Sequence, residues 1–414
     1  MNLKNKKALL INKKYFFTII LLLTCVFCLQ IHLKFLDFQD FLYKEKYELK
    51  IINQYLKNKG NKSYYVLALE YKNTIIYTTT KIKISSNKIS LRFANKEKLA
   101  FYEYLKARFY LPSYDLKELD KSEENIVVKY FINQHENQKM QQFFGALFFA
   151  KPINAELRRD VNYYGIAHLL AISGYHLGLI YSIFFFIFSL IYKCFHKNFF
   201  PYRSMHFDLG ILIFILLGIY FYQIGLVASF FRSFVMAFLG FYFVIRAIKL
   251  LSFTHLFLAF YVCVAINPSL LFNVGFFFSC LGVYYIYLYA YHFNLNGFMK
   301  VLGLEIFVFF AMIAPVLYFF PLLTFQQLLG IILTAIFVIF YPLMLFLHLL
   351  NYGFLFDEII LKFLDFKMFA IDFHLKFIYF IIYLFLSFLA IIHRYLAIFV
   401  ISLNILFFIY LGFL

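Results

Sequence analysis

Between Tyr163 and Ile180 the chain runs YYGIAHLLAISGYHLGLI. His168, Ser173 and His176 stand in this apolar setting, with Gly165, Gly174 and Gly178 among them. Two chemistries fit such types. A Ser–His pair can act in nucleophilic transfer, and imidazoles that titrate near neutrality can line a wet path. Polar side chains at membrane depth are costly and point to function. The competing explanation is helix packing by small residues, with His capping backbone groups. On one continuous helix His168, Ile172 and His176 share a face; Gly174 allows a break or a close helix contact instead.

Further along, Gln223 and Arg232 bracket a Gly-Leu-Val-Ala-Ser turn, and Arg232 lies well inside an apolar stretch. A guanidinium there needs a partner or a wet cavity, and its geometry matches phosphate. An ion pair with Glu305 or Asp208 that holds the helices together is the alternative. Glu305, Gln326 and Gln327 extend the set of polar candidates, and Asn267, Pro268 and Asn273 mark a loop. No His-x-His or His-x-x-x-His pair occurs, so the common local metal spacings are missing, and no metal or cofactor is expected. Nor is there a GxxxxGK[ST] phosphate loop, so nucleotide hydrolysis is not expected of this chain.

The elements that must position these residues are set by composition. Of 414 residues 64% are hydrophobic and 14% charged, far from soluble usage, so the chain is a polytopic α-helical membrane protein. Apolar segments run over 15–31, 164–192, 207–225, 226–245, 251–266, 274–292, 301–320, 325–350, 377–393 and 396–414, ten in all. Lys4, Lys6, Lys7, Lys13 and Lys14 precede the first, which makes it a signal anchor with its N-terminus inside. Loops with Lys193, Lys197 and Arg203, and with Arg246 and Lys249, then fall inside as well. The five Cys lie in or beside apolar segments and indicate neither disulfides nor a thiolate metal site.

Net charge is +18, and residues 1–163 hold 28 of the 39 Lys and Arg. A polyanion or anionic lipid is one partner such a balance suits; solvation of loops in a Lys-rich composition is the other account. Within 33–142 the pattern changes to period two. Tyr47, Leu49 and Ile51 alternate with Lys46, Glu48 and Lys50; Ile82 and Ile84 with Lys81 and Lys83; Ile89, Leu91 and Phe93 with Lys88, Ser90 and Arg92. Half-buried strands and a small extracytoplasmic all-β domain follow, with 64–70 a further strand, turns at 58–62 and 85–87, and a helix over 97–108. The segment FFGALFFA is too short to span and predicts an interfacial or re-entrant helix before the charged ELRRD at 156–160.

The run ELRRDVNYYGIAHLLAISGYHLGLI at 156–180 resembles the hallmark of the ComEC family of competence membrane proteins. SFFRSFVM at 229–236, NPSLLFNVGFFFSCLGV at 267–283 and the Pro-containing 314–343, with Pro315, Pro321, Gln326 and Pro342, are similar to later family segments. The resemblance spans roughly 43–350. It implies an inner-membrane channel that carries single-stranded DNA into the cytoplasm during natural transformation, with an OB-like outer domain. The divisions expected are 1–31 (basic N-terminus and anchor), 32–142 (OB-like β domain and following helix), 143–163 (connector), 164–350 (competence core) and 351–414 (loop and two membrane segments). The metallo-β-lactamase-like domain of longer members has no counterpart motif, so a separate nuclease is implied, together with an outer DNA receptor, a cytoplasmic helicase-type motor and membrane lipids as partners. Arg158, Arg159, His168, Ser173, Gly174, His176, Gly178, Gln223, Arg232 and Gln326 are the residues expected at the path or core. A membrane-embedded hydrolase built on Ser173 with His168 or His176, and a non-conducting scaffold, remain the alternatives.

Overall fold

The computed structural model describes residues 13–59, 62–72, 74–119, 125–199, 201–225, 227–245 and 253–412. Lys4, Lys6 and Lys7, the Arg246–Lys249 loop and the tip of the 58–62 turn lie outside the described residues. The chain forms two compact units, one from 13–129 with 258–277, the other from 130–257 with 278–412.

In the first unit α1 (Lys13–Tyr43) continues well past the apolar run that ends at residue 31. The cause is packing. Phe38 and Phe41, three residues apart on one face, are buried in the core of the β region, with the Phe41 ring 5.1 Å from Tyr47 and 5.3 Å from Tyr71. The strands are β1 (Tyr47–Lys59), β2 (Lys62–Tyr71), β3 (Thr74–Thr80), β4 (Lys88–Phe93), and, beyond the short α2 (Phe101–Leu105), β5 (Arg108–Tyr110) and β6 (Ser113–Glu118). They form one sheet of order β5-β3-β2-β1-β4-β6, antiparallel except for the β3–β5 pair. Period two is realised at Tyr47 and Leu49 and at Ile89, Leu91 and Phe93, whose side chains are all buried. The same alternation at 81–84 does not produce a strand: Ile84 is buried and Ile82 exposed, but the segment is an irregular connection. The helix expected over 97–108 is likewise shortened to α2, because Arg108 is drawn into the parallel ladder with Ile75. The turn at 267–273 belongs to this unit. Pro268–Phe272 form a 3-10 turn, Asn267 accepts from Ser269 N, and Asn273 Oδ1 accepts from Phe276 N at 3.0 Å.

The remaining helices are α3 (Ile126–Ile132), α4 (Gln138–Phe149), α5 (Ala155–Tyr163), α6 (Ala167–Leu170), α7 (Gly174–Phe199), α8 (Met205–Gln223), α9 (Ala228–Ile245), α10 (Phe253–Ile266), α11 (Val274–His292), α12 (Gly297–Phe319), α13 (Leu329–Leu349), α14 (Asp357–Asp365), α15 (Phe377–Leu389) and α16 (Arg394–Gly412). Among the described residues seven helices, α1, α7, α8, α11, α12, α13 and α16, are long and apolar enough to cross a membrane. α9, α10 and α15 are apolar and shorter. This is a polytopic helical membrane protein with an N-terminal β region.

Within the second unit α7, α8 and α9 pack as one group, and α12, α15 and α16 as another. The latter is fastened by Asn404 Nδ2, which donates to Phe310 O (2.7 Å) and to Tyr383 OH (2.9 Å), and by Tyr383 OH, which donates to Ala311 O (2.6 Å). A third core joins α4, α5, α6, α13 and α14 through Met140, Phe144, Leu157, Tyr164, Tyr341 and Leu364. At about 1.5 Å per residue the 12 residues of α4 reach about 18 Å, short of a bilayer's apolar thickness.

Candidate functional site

The apolar segment at 164–192 is not one helix. α6 ends at Leu170, residues 171–173 are extended, and a new helix begins at Gly174. The new start is a capping box. Ser173 Oγ accepts from Tyr175 N at 3.3 Å, and the His176 ring, three residues into the motif, reaches back with Nδ1 to accept from Ser173 N at 3.2 Å. Ser173 Oγ also lies 3.3 Å from that Nδ1. His176 is fully buried, edge-on to Phe337 and Tyr341 of α13, and its Nε2 makes no hydrogen bond of good geometry among the described residues.

Gly174 is where α7 meets α9. A Cβ there would fall 2.7 Å from Ser233 Oγ and 3.7 Å from Arg232 Nη2. Ser229 Oγ donates to Ile172 O at 2.5 Å, so the extended segment is tied to the same helix. Arg232, 4% exposed, donates from Nε to Ser279 Oγ of α11 (2.7 Å) and from Nη2 to Ser233 Oγ (2.9 Å), with Nη1 2.8 Å from Met236 Sδ. Asp208 is engaged elsewhere, with Tyr192 OH (2.6 Å) and Arg203 (2.9 Å). A guanidinium and the positive N-terminal end of a 26-residue helix are thus held side by side.

A second polar group lies next to this one. His168 is exposed, with Nδ1 3.1 Å from Gly165 O and Nε2 3.3 Å from Thr334 Oγ1 of α13. Tyr175 OH donates to Thr334 O at 3.2 Å. Gly165 holds a left-handed turn (φ 64°) against the Gln327 backbone, and Gln327 Nε2 donates to Asn162 O and Leu322 O. Gly178 meets nothing within 4 Å and is exposed.

The other expected residues are placed apart. Gln326 is buried and ties down the 366–368 loop, donating to Phe366 O and accepting from Met368 N, both at 3.0 Å. Gln223 is exposed at the last residue of α8. Arg158 and Arg159 are exposed on α5, with the Arg159 guanidinium 5.9 Å from the Tyr163 ring centre.

Two clusters escaped the sequence reading. Asp160, the last letter of ELRRD, is fully buried between Lys139 (2.8 Å) and Lys367 (2.6 Å), and Lys139 also reaches Asp365 at 2.9 Å. Burial opposes the Lys139 charge, but Asp160 and Asp365 together outweigh it and raise its pKa. The available signal was Leu157 and Val161 four apart: that apolar face carries Asp160 inward with it and leaves Arg158 and Arg159 outside. The other cluster, His135, His348 and Asp357, joins residues more than 200 positions apart, and nothing local announces it.

Among the described residues no group of three or more His, Cys, Asp or Glu is arranged to hold a metal ion. No curated protein and no solved structure matches the chain. Residues 149–414 match a family model described as Competence protein. That stretch holds the broken helix, Arg232 and the polar group around Thr334, and it is well over half of the sequence; the chain therefore belongs to the competence protein family of membrane proteins involved in DNA uptake.

Proposed function

We propose that this protein is the inner-membrane channel that conducts single-stranded DNA into the cytoplasm during natural transformation, with the β region on the outer side. The observation that carries this reading is Arg232. It is a guanidinium set into apolar helices beside the start of α7, where it donates to Ser279 and Ser233. A phosphodiester strand cannot shed its water into hydrocarbon, so its path needs fixed positive potential and polar walls. His168, Ser173, Tyr175 and Thr334 supply neighbouring polar groups, and the exposed Arg158 and Arg159 add cations on α5.

The strand pairing of the β region favours an OB-type reading: β1 lies between β2 and β4, and β3 pairs in parallel with β5. Such a domain with a basic surface and exposed Tyr55, Tyr102, Tyr110 and Tyr114 suits single strands, which stack on aromatic rings. A receptor, a nuclease that removes the other strand, and a motor are supplied by separate proteins in this scheme.

The hydrolase alternative draws less support. The Ser173–His176 contact is accounted for as a helix cap, and among the described residues the buried Nε2 meets no acidic orienter of the kind a triad uses. Reconstitution into vesicles tests the assignment directly. Strand-specific entry of labelled DNA, lost in Arg232→Gln, supports a conduit; no flux in the wild-type vesicles, with uptake in cells still dependent on the protein, assigns it to a scaffold.

A further inference from the structure

The cluster of His135, His348 and Asp357 allows a count of protons. His348 Nδ1 lies 2.6 Å from Met344 O. A carbonyl only accepts, so Nδ1 carries the hydrogen and the neutral ring offers Nε2 as an acceptor. That Nε2 lies 2.9 Å from His135 Nε2, which therefore donates. His135 Nδ1 in turn lies 2.9 Å from both oxygens of Asp357. One proton must sit between them, on ring or carboxyl, and the assembly is then neutral overall.

Removing that proton leaves a carboxylate facing a lone pair. Adding one to His348 sets two N–H groups against each other at 2.9 Å. Either change breaks one bond of the chain. Both rings are almost wholly buried, with His135 stacked 4.4 Å from Phe144 and His348 5.2 Å from Phe131, so water is not at hand to replace the lost partner. Burial raises the Asp357 carboxyl above its ordinary pKa while the His135 bond pulls it down, in keeping with a proton shared by the two.

We propose that Asp357, His135 and His348 form a proton-set latch that fastens the α3–α4 turn to the end of α13 and the start of α14, and opens when the shared proton is lost or a further one is gained. Gln134 lies within the same joint, donating to His348 O and accepting from Gly353 N, both at 2.9 Å. The other charged groups on the packed elements do not compete: Lys139 is engaged by Asp160 and Asp365, and Lys129, Glu136, Glu358 and Lys362 are exposed. Release would free the α13 segment whose Phe337 and Tyr341 flank His176.

The test is hydrogen–deuterium exchange on the full-length protein in lipid nanodiscs at about pH 5, 7 and 9, corrected for intrinsic rates, following peptides over 130–141 and 347–358. The wild type is expected to be protected near pH 7 and to exchange about tenfold faster or more at both extremes. Asp357→Asn supplies an amide N–H to His135 Nδ1 without a titrating proton and is expected to stay closed near pH 9 while still opening near pH 5. His348→Gln offers a carbonyl that takes no proton and should stay closed near pH 5. Equal wild-type protection at all three values overturns the latch, and that result needs no variant to fold. Loss of protection in both variants at every pH, with peptides of the β region unchanged, also overturns it and assigns the cluster to packing.

Discussion

Two buried polar clusters, one around Asp160 and one around Arg232, are built differently. Around Asp160 every charge meets an opposite one: Lys139 and Lys367 on the carboxylate, Asp365 and Glu156 on Lys139. Arg232 donates to the hydroxyls of Ser279 and Ser233 and reaches Met236 Sδ, beside the first turn of α7. A buried charge answered by countercharges holds segments together. A guanidinium held beside the first turn of a long helix adds to the positive potential at that helix end. The first cluster we assign to folding and the second, on the proposed function, to the DNA path, and each assignment can be broken separately.

Asp160→Ala should have the largest effect on folding. It leaves two lysines without their shared carboxylate, and loss of one partner of a buried pair costs about 3–5 kcal/mol. The expected outcome is a marked fall in membrane level and in the thermal unfolding temperature of the solubilised protein; normal levels with lost uptake would move Asp160 into the functional cluster. Arg232→Gln should do the reverse. Its amide can still reach Ser279 or Ser233, so membrane level stays within about twofold, while a lost charge-assisted contact of about 1.5–3 kcal/mol lowers delivery of labelled DNA to the cytoplasm by about ten- to a hundredfold. Unchanged delivery removes Arg232 from the path.

The same contrast explains what was legible in the sequence. Ten apolar segments, the odd polar stretch at 163–180 and the strands at Tyr47–Leu49 and Ile89–Phe93 follow from periodicity and composition, which are local. The strand β3 was hidden because TIIYTTT places Thr on both its buried and its half-buried face, so no polar–apolar alternation shows. The extension of α1 depends on Phe38 and Phe41 finding a core that is assembled from strands up to residue 111. Of the candidate site, Ser173, Gly174, His176 and Arg232 are brought together, whereas Gln326 serves the 366–368 loop and Gly178 faces open space. Residue type marks cost at membrane depth; it does not say which partner meets that cost.

The two glycines flanking His176 sharpen the point at smaller amplitude. Gly174 lacks room for a Cβ against Ser233, and Gly178 has open space. Gly174→Ala should cost about 1–3 kcal/mol by overpacking α7 against α9, with uptake falling because Arg232 moves with Ser233. Gly178→Ala, in a helix interior, should be neutral or stabilising by up to about 1 kcal/mol. Thermal unfolding of the two variants side by side checks the difference, and equal effects would deny the close α7–α9 contact.

The smallest effect separates a cap from a nucleophile. Ser173 Oγ receives Tyr175 N, and His176 Nδ1 receives Ser173 N. Ser173→Ala removes the first bond and should cost about 1 kcal/mol. His176→Gln preserves the second, since a glutamine carbonyl is the usual acceptor at that position of a capping box, and should cost less than His176→Leu, which has no acceptor to offer Ser173 N. A nucleophile gives the opposite ranking: Ser173→Ala would leave stability unchanged and abolish function, and Gln would be as damaging as Leu at 176. DNA uptake retained in Ser173→Ala, alongside a lowered unfolding temperature, places the Ser–His pair in the architecture of α7. Its electrostatic consequence is then that the cap fixes where the helix N-terminus points, and that end lies beside Arg232.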